Sequence, residues 1–270
     1  MKKKFIASLL ALVLMLSLLS VNAFALTAGN PSSPTVVYVT IANGSVVLAQ
    51  QPVTVTDTDN DGNLTINDAL YAVHEANFEG GAAAGYASEN GTYGLMVTKL
   101  WGVTNGGGYG YYVNNAAASG LMDPVANGDY LNAFVYTDLA SWSDMYSYFD
   151  CQEVEAADGT SFDLILTAIN FYATPMQEPV AGATITIDNA PTSFVTDAQG
   201  KVIITVPHGI HVISATSTTQ TLVPPVLTAY IGVPMAGDNS NLVLWIVIGA
   251  VALAGLVAVV IFTGKKKHEA

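Results

Sequence analysis

The chain has 270 residues, 51% of them hydrophobic and 11% charged, with a formal net charge of −13. Six of its eight Lys+Arg lie at the ends (Lys2–Lys4 and Lys265–Lys267), so residues 26–240 hold two lysines against 20 of the 21 acidic residues, a net of −18 before any metal binds. That charge excludes nucleic acid and other polyanions as partners, and Cys151, the single cysteine, excludes an intramolecular disulfide.

At the start, Lys2–Lys4 is a basic n-region, Phe5 to Leu19 an apolar h-region and Ala23-Phe24-Ala25 a small-x-small cleavage site. Residues 1–25 are therefore expected to be a signal peptide, with Leu26 the first residue of the mature chain. Next, Thr35 to Ile41 and Ser45 to Ala49 flank Ala42-Asn43-Gly44, a hairpin signal.

Residues 57 to 68 read Asp-Thr-Asp-Asn-Asp-Gly-Asn-Leu-Thr-Ile-Asn-Asp. Aspartates at loop positions 1, 3 and 5, glycine at 6, Leu64 at 8 and a carboxylate at 12 match the calcium loop of an EF-hand. Asp57, Asp59 and Asp61 surround one point, Gly62 permits the sharp turn, Asn63 offers its carbonyl, and Asp68 closes the cage from the first turn of a helix. Three carboxylates so close repel one another, whereas a hard divalent ion requires six to eight oxygens, so Ca2+ is the expected occupant. The closing residue is Asp rather than the Glu of sensor EF-hands, and Gln51 to Thr56 alternates like a strand. This is similar to the loop-plus-exiting-helix site of dockerins; dockerins carry two such loops, and one is found here. Ile66, Ala69, Leu70, Val73 and Ala76 recur at helical spacing, predicting an amphipathic helix that ends near Phe78. His74, beside Glu75, reads as part of its solvated face.

A Gly-, Tyr- and Asn-rich stretch follows, with strands expected at 94–101, 109–115 and 128–136. A strand ending in Trp101, the segment Gly108 to Asn115 with its Tyr-Val-Asn-Asn, and an Asn-Gly-Asp turn leading into Tyr130 to Tyr136 resemble the transcobalamin C-terminal-like domain over residues 35 to 150. In vertebrate cobalamin carriers this β-rich domain caps the corrinoid, so the resemblance implies binding of a small ligand or partner without catalysis. The aromatics Tyr93, Trp101, Tyr109, Tyr111, Tyr112, Tyr130 and Trp142 supply either sheet core or a stacking surface for a ring or sugar. Trp101, Tyr111 and Tyr112 are the candidate ligand-binding residues.

Cys151 to Gly159 marks a shift in composition. Phe162 to Ala168, Pro179 to Ile187 and Thr196 to Ala215 then alternate as strands, and the Thr196-Asp197-x-x-Gly200 turn resembles carboxypeptidase-regulatory-like and bacterial Ig-like sandwiches. Such modules space and present a neighbouring domain. Near the end, Leu242 to Thr263 is uncharged, long enough to cross the ~30 Å hydrocarbon core, and followed by three lysines that hold their side in the cytoplasm.

The expected fold class is mainly β: an α+β first domain with one calcium loop-helix, then a β-sandwich, plus a signal peptide and one transmembrane helix. The expected division is a signal peptide (1–25), a calcium-binding domain (26–150), a linker (151–159), a sandwich (160–234), a second linker (235–241), a transmembrane helix (242–263) and a cytoplasmic tail (264–270). No Ser/His/Asp order, His-Glu-x-x-His or Cys/His pairing surrounds His74, His208 or His211, and on a strand His208 and His211 fall on opposite faces, so no enzyme and no zinc pair is expected. The expected protein is a bacterial, single-pass type I surface protein with its bulk extracellular, binding calcium and a small ligand or surface partner. The alternatives are a purely structural or adhesive surface protein with a calcium-stabilised fold, and a corrinoid or porphyrin receptor feeding a transporter.

Overall fold

The computed structural model describes residues 34–233 apart from 171 and 172. The expected signal peptide (1–25) and transmembrane span (242–263) lie outside the described residues. Among the described residues no helix is long and apolar enough to cross a membrane, and from Thr35 onward they belong to one compact unit.

The first half contains, in chain order, β1 (Val36–Asn43), β2 (Val46–Thr54), α1 (Ile66–Asn77), α2 (Gly81–Gly85), β3 (Ala87–Gly91), β4 (Gly94–Lys99), β5 (Tyr109–Val113), β6 (Ala116–Ala117) and β7 (Tyr130–Val135). β1 and β2 form the expected antiparallel hairpin, turning at Gly44, whose φ of +67° is a conformation that favours glycine. The sheet runs β2-β1-β7-β5-β6, with β1 and β7 parallel and Val39 opposite Leu131. β3 and β4 make a separate two-stranded ribbon.

The period of two decides what each face of this sheet does. Val37, Val39 and Ile41 of β1 and Leu131, Ala133 and Val135 of β7 face one core, on which α1 lays Ile66, Ala69, Leu70 and Val73. Each fully buried side chain of this kind contributes about 1.5–3 kcal/mol relative to exposure. The alternate residues Ala42 and Phe134 face the opposite side, where they join Tyr112, Tyr146 and Val223 in another cluster. One face of the sheet therefore carries the helix, and the other carries the second half of the chain.

That second half comprises β8 (Met145–Phe149), β9 (Glu153–Ala156), β10 (Ser161–Ile169), β11 (Gln177–Pro179), β12 (Thr184–Ile187), β13 (Ala190–Val195), β14 (Lys201–Thr205), β15 (Gly209–Thr216), β16 (Leu222–Val223) and β17 (Leu227–Ile231). One sheet runs β11-β10-β8-β16, with β14 also paired to β10, and the other runs β13-β12-β15-β17-β9. Leu164, Leu166, Val202 and Ile204 of the first meet Ile185, Ile213, Leu227 and Ala229 of the second across a shared core, the arrangement of a β-sandwich. Glu153–Ala156, within the segment read from sequence as a linker, pairs in parallel with β17 as an edge strand. Its acidic alternation suits an edge that must not recruit other strands.

Candidate metal centre

The chain enters the acidic loop from β2. Val55 anchors that entry: its side chain is buried at 3% exposure and its amide donates to the Thr35 carbonyl at 2.9 Å. At the far end, the Val125 amide donates to Leu64 O, while the Ile66 and Asn67 amides donate to Asp123 O and Leu121 O. Between these anchors the loop turns on its own aspartates. Asp57 accepts from the amides of Asp61 (3.1 Å) and Gly62 (2.9 Å), Asp59 from Asp61 (3.3 Å), and Asp61 from Asn63 (2.7 Å). Such local acceptors are why Asp favours turns. Asn60 and Gly62 take φ of +60° and +88°, and a Cβ on Gly62 would meet nothing within 4 Å, so it is this dihedral that favours glycine there.

The result gathers Asp57, Asp59 and Asp61 so that one carboxylate oxygen from each lies within 4.8 Å of the others, with Asp59 and Asp61 exposed. Slight desolvation first, then the charges of Asp61 and Asp68, push Asp59 above the ordinary carboxylate range, only partly offset by the Asp61 amide. Among the described residues no basic side chain pairs with the trio. Of the two lysines among the described residues, Lys99 donates to Ala84 O and Lys201 pairs with Asp163 at 2.9 Å. Three hard oxygen donors without a counter-charge fit a divalent cation.

Asp68, the expected closing ligand, is placed differently. It is fully buried, and each of its oxygens accepts from two donors: Oδ1 from the Thr58 amide (2.8 Å) and hydroxyl, Oδ2 from the Thr65 amide (3.0 Å) and hydroxyl (2.8 Å). With Thr65 it forms a capping box at the start of α1. Burial pushes its carboxyl up, but those donors outweigh it and hold Asp68 below the ordinary range. Its carboxylate thus ties the loop to the helix instead of joining the trio. Asn63 is exposed, and its side-chain amide reaches only back to Asp61 O at 3.5 Å.

The three aromatic candidates do not form one surface. Trp101 and Tyr111 are half-buried against the first core. Tyr112 points to the other face of β5, is 3% exposed and belongs to the cluster at the junction of the halves. An open groove of ≈ 330 Å³ is lined by residues of β13 and β14, including Phe194 and Ile203, and by none of these three.

His74 departs from the sequence expectation. It is fully buried, with Nδ1 2.6 Å from Leu70 O and Nε2 accepting from the Trp101 amide at 3.0 Å. Because Nε2 accepts, Nδ1 carries the proton, and the ring is neutral. Its position four residues after Leu70 and next to Val73, on the apolar stripe of α1, is the sequence signal that locates it.

No family model matches the chain, and no curated protein matches it. Among solved structures, the N-terminal four Ig domains of Dscam1 isoform 4.44 share 11% identity, over 54% of this chain and 36% of that one, with a TM-score of 0.23. Isoform 7.44 shares 10%, over 76% and 48%, also with a TM-score of 0.23. The Bacteroides ovatus mixed-linkage glucan utilization locus protein SGBP-B, in complex with a mixed-linkage heptasaccharide, shares 12%, over 54% and 35%, with a TM-score of 0.20. The chain thus spans between about a third and a half of those structures. Likeness of this size transfers neither fold nor ligand.

Proposed function

We propose that the protein is a noncatalytic binding protein of the cell surface whose first half is stabilised by calcium. The observation that carries this reading is the Asp57, Asp59 and Asp61 trio, with one carboxylate oxygen of each within 4.8 Å of the others and no ion pair to a basic side chain among the described residues. Calcium would be held by these three side chains, with the Asn63 carbonyl and water completing a set of six to eight oxygens. Its binding would cancel the repulsion that raises Asp59 and stiffen a loop already tied to α1 through Thr58 and Asp68. Extracellular calcium is plentiful, so the site is structural and constitutively filled rather than a signalling switch.

A signal peptide at 1–25 and a single span at 242–263 would place residues 26–241 outside the cell as a type I membrane protein. The burial of Tyr112 and the half-burial of Trp101 and Tyr111 in packed cores support the purely structural or adhesive alternative over a corrinoid or porphyrin receptor. Calcium titration calorimetry on chelator-stripped protein, beside a melting curve in each state, tests the reading. One bound ion with a higher melting point is the expected result. Absence of binding would reduce the loop to an acidic turn.

A further inference from the structure

Among the described residues, Trp142 is the aromatic that combines a positive φ with an exposed side chain; Trp101 shares the positive φ but is half-buried. Trp142 lies in the loop between β7 and β8, has φ of +53° and is 49% exposed. Positive φ is a rare, strained conformation for a bulky L-residue, and burial does not compensate for it here, because half of the indole faces solvent.

The loop is organised around this display. Asp144 accepts from the Thr137 amide (3.0 Å) and hydroxyl (2.6 Å) and from the Asp138 amide (2.8 Å). Asp138 accepts from the amides of Ala140 (3.1 Å) and Ser141 (3.0 Å) and the Ser143 hydroxyl (2.7 Å), and the Trp142 amide donates to the Asp138 carbonyl at 2.9 Å. The indole rests edge-on against Tyr136 at 5.1 Å and 66°, and Tyr136 rests in the same way against Phe134, which is fully buried. The exposed ring is therefore rooted in the core through two others. Beside it, Leu139 is 40% exposed and covers Gly108 so closely that a Cβ there would meet Leu139 Cδ2 at 2.2 Å. Asn105 pins this glycine loop through Gly108 O (2.9 Å) and Tyr136 O (3.3 Å), and at Gly106 and Gly107 no side chain rises from it.

We propose that the Thr137–Asp144 loop presents Trp142 as the stacking platform of a binding site for a neutral glycan. A pyranose has an apolar C–H face, which matches the indole, and hydroxyl edges, which require acceptors. Asp144 takes three donors out of about four lone-pair positions and retains room for one hydroxyl, whereas Asp138, engaged by Ala140, Ser143 and both the amide and the side chain of Ser141, holds the loop in shape. Hydrogen bonds from Ser143 and Ser141 hold Asp138 down to about 2, so it stays charged at any physiological pH. The two carboxylates, with no basic side chain in the loop, repel sialylated, sulfated or phosphate-bearing ligands and anionic membranes.

This assignment rests on the reading of the protein as a noncatalytic binding protein and is independent of calcium. The test is isothermal titration of the full chain in detergent micelles with cellohexaose, xylohexaose and maltohexaose, and with choline as a cationic control, the sugars being recovered and chromatographed afterwards. Binding of at least one hexasaccharide is expected, weakened at least about tenfold in Trp142→Ala and unchanged in Tyr93→Ala, whose tyrosine is exposed on the β3–β4 hairpin. Trp142→Gly, which suits the positive φ, separates loss of the ring from loss of loop structure and should lose affinity equally. The proposal is overturned if no hexasaccharide binds at about 10 mM, if Trp142→Gly binds as well as the parent, or if choline binds through Trp142 and the sugars do not. Recovery of cleaved sugar alongside Trp142-dependent binding would overturn the noncatalytic reading and leave the platform standing, whereas intact sugar without binding would overturn the platform alone.

Discussion

Tyr112 and Tyr146 stack with ring centroids 3.7 Å apart and planes 5° apart, joining the first sheet to β8 of the sandwich. Polar groups around the pair fix its geometry. The Tyr146 hydroxyl donates to Asn115 (2.9 Å) and accepts from Asn132 (3.0 Å). Gln152 also reaches Asn115, while Gln50 donates to the Gln152 carbonyl at 2.9 Å and accepts from the Thr228 hydroxyl. Partly buried hydrogen bonds of this kind favour a single arrangement, because others leave some donors and acceptors unpaired. The two halves are thus held at a set angle to each other.

Tyr146→Ala is expected to cost about 3 kcal/mol or more in denaturant unfolding, since it removes a ring that is 4% exposed and the hydroxyl that bonds both Asn132 and Asn115. Tyr146→Phe keeps the stack and should cost about 1 kcal/mol. Tyr93→Ala, at a position 95% exposed, should stay within about 0.5 kcal/mol. Equal midpoints for Tyr146→Ala and Tyr93→Ala would show that the junction contributes nothing.

His74 predicts a pH dependence. Burial first lowers its pKa below the ordinary 6.5, against a smaller opposing effect of the Leu70 carbonyl. The unfolded chain therefore binds the proton more readily than the folded one, so the contribution of His74 is complete above about pH 6.5 and is lost as pH falls toward the folded value. Between pH 7 and pH 5 the parent should lose stability more steeply than His74→Leu, by at most about 1.4 kcal/mol per pH unit. Parallel curves would mean that His74 titrates normally.

Local pattern made much of this fold legible. Alternation in Thr35–Ile41 and the Asn43-Gly44 turn predict the first hairpin, and the spacing of Ile66, Leu70 and Val73 predicts α1. The aspartate spacing predicts the trio. The position of Asp68 follows a second local rule: Thr65-x-x-Asp68 is also a capping box, and in the structure its carboxylate accepts from Thr58 and Thr65. What the sequence withholds is non-local. The parallel pairing of Tyr38 with Tyr130 and the stacking of Tyr112 on Tyr146 depend on how whole sheets meet, and no short-range pattern encodes that. β9 is hidden for a different reason, since the glutamates that suit it to an edge look like linker composition.

Asp59→Ala combined with Asp61→Ala is expected to abolish calcium binding and, with it, the calcium-dependent gain in stability, about 2.7 kcal/mol when calcium is at 100 times its dissociation constant. Without calcium the sign reverses. Because neighbouring carboxylates help to raise Asp59, the double variant should melt no lower than the stripped parent. Scanning calorimetry of both proteins with calcium and with chelator decides this, and a parent that melts identically in the two conditions would sink the metal assignment.

Gly200 tests whether the sandwich stands independently of the metal. It ends the Thr196-Asp197-Ala198-Gln199-Gly200 turn at φ of +71°, and a Cβ there would come within 2.4 Å of the Leu166 carbonyl oxygen, which accepts from the Val180 amide. That backbone cannot step aside without breaking the turn, in which Asp197 accepts from the amides of Gln199 and Lys201 at 2.9 Å each. Gly200→Ala should therefore destabilise the second half by about 2–4 kcal/mol, combining the positive-φ penalty with overpacking. The loss should be the same with and without calcium, since the turn shares no residue with the Asp57–Asp68 loop. Hydrogen exchange separates the outcomes: faster exchange along β10 and β14 with α1 unchanged is the expected pattern, whereas equal acceleration in α1 would mean that the junction at Tyr112 and Tyr146 makes the halves unfold as one.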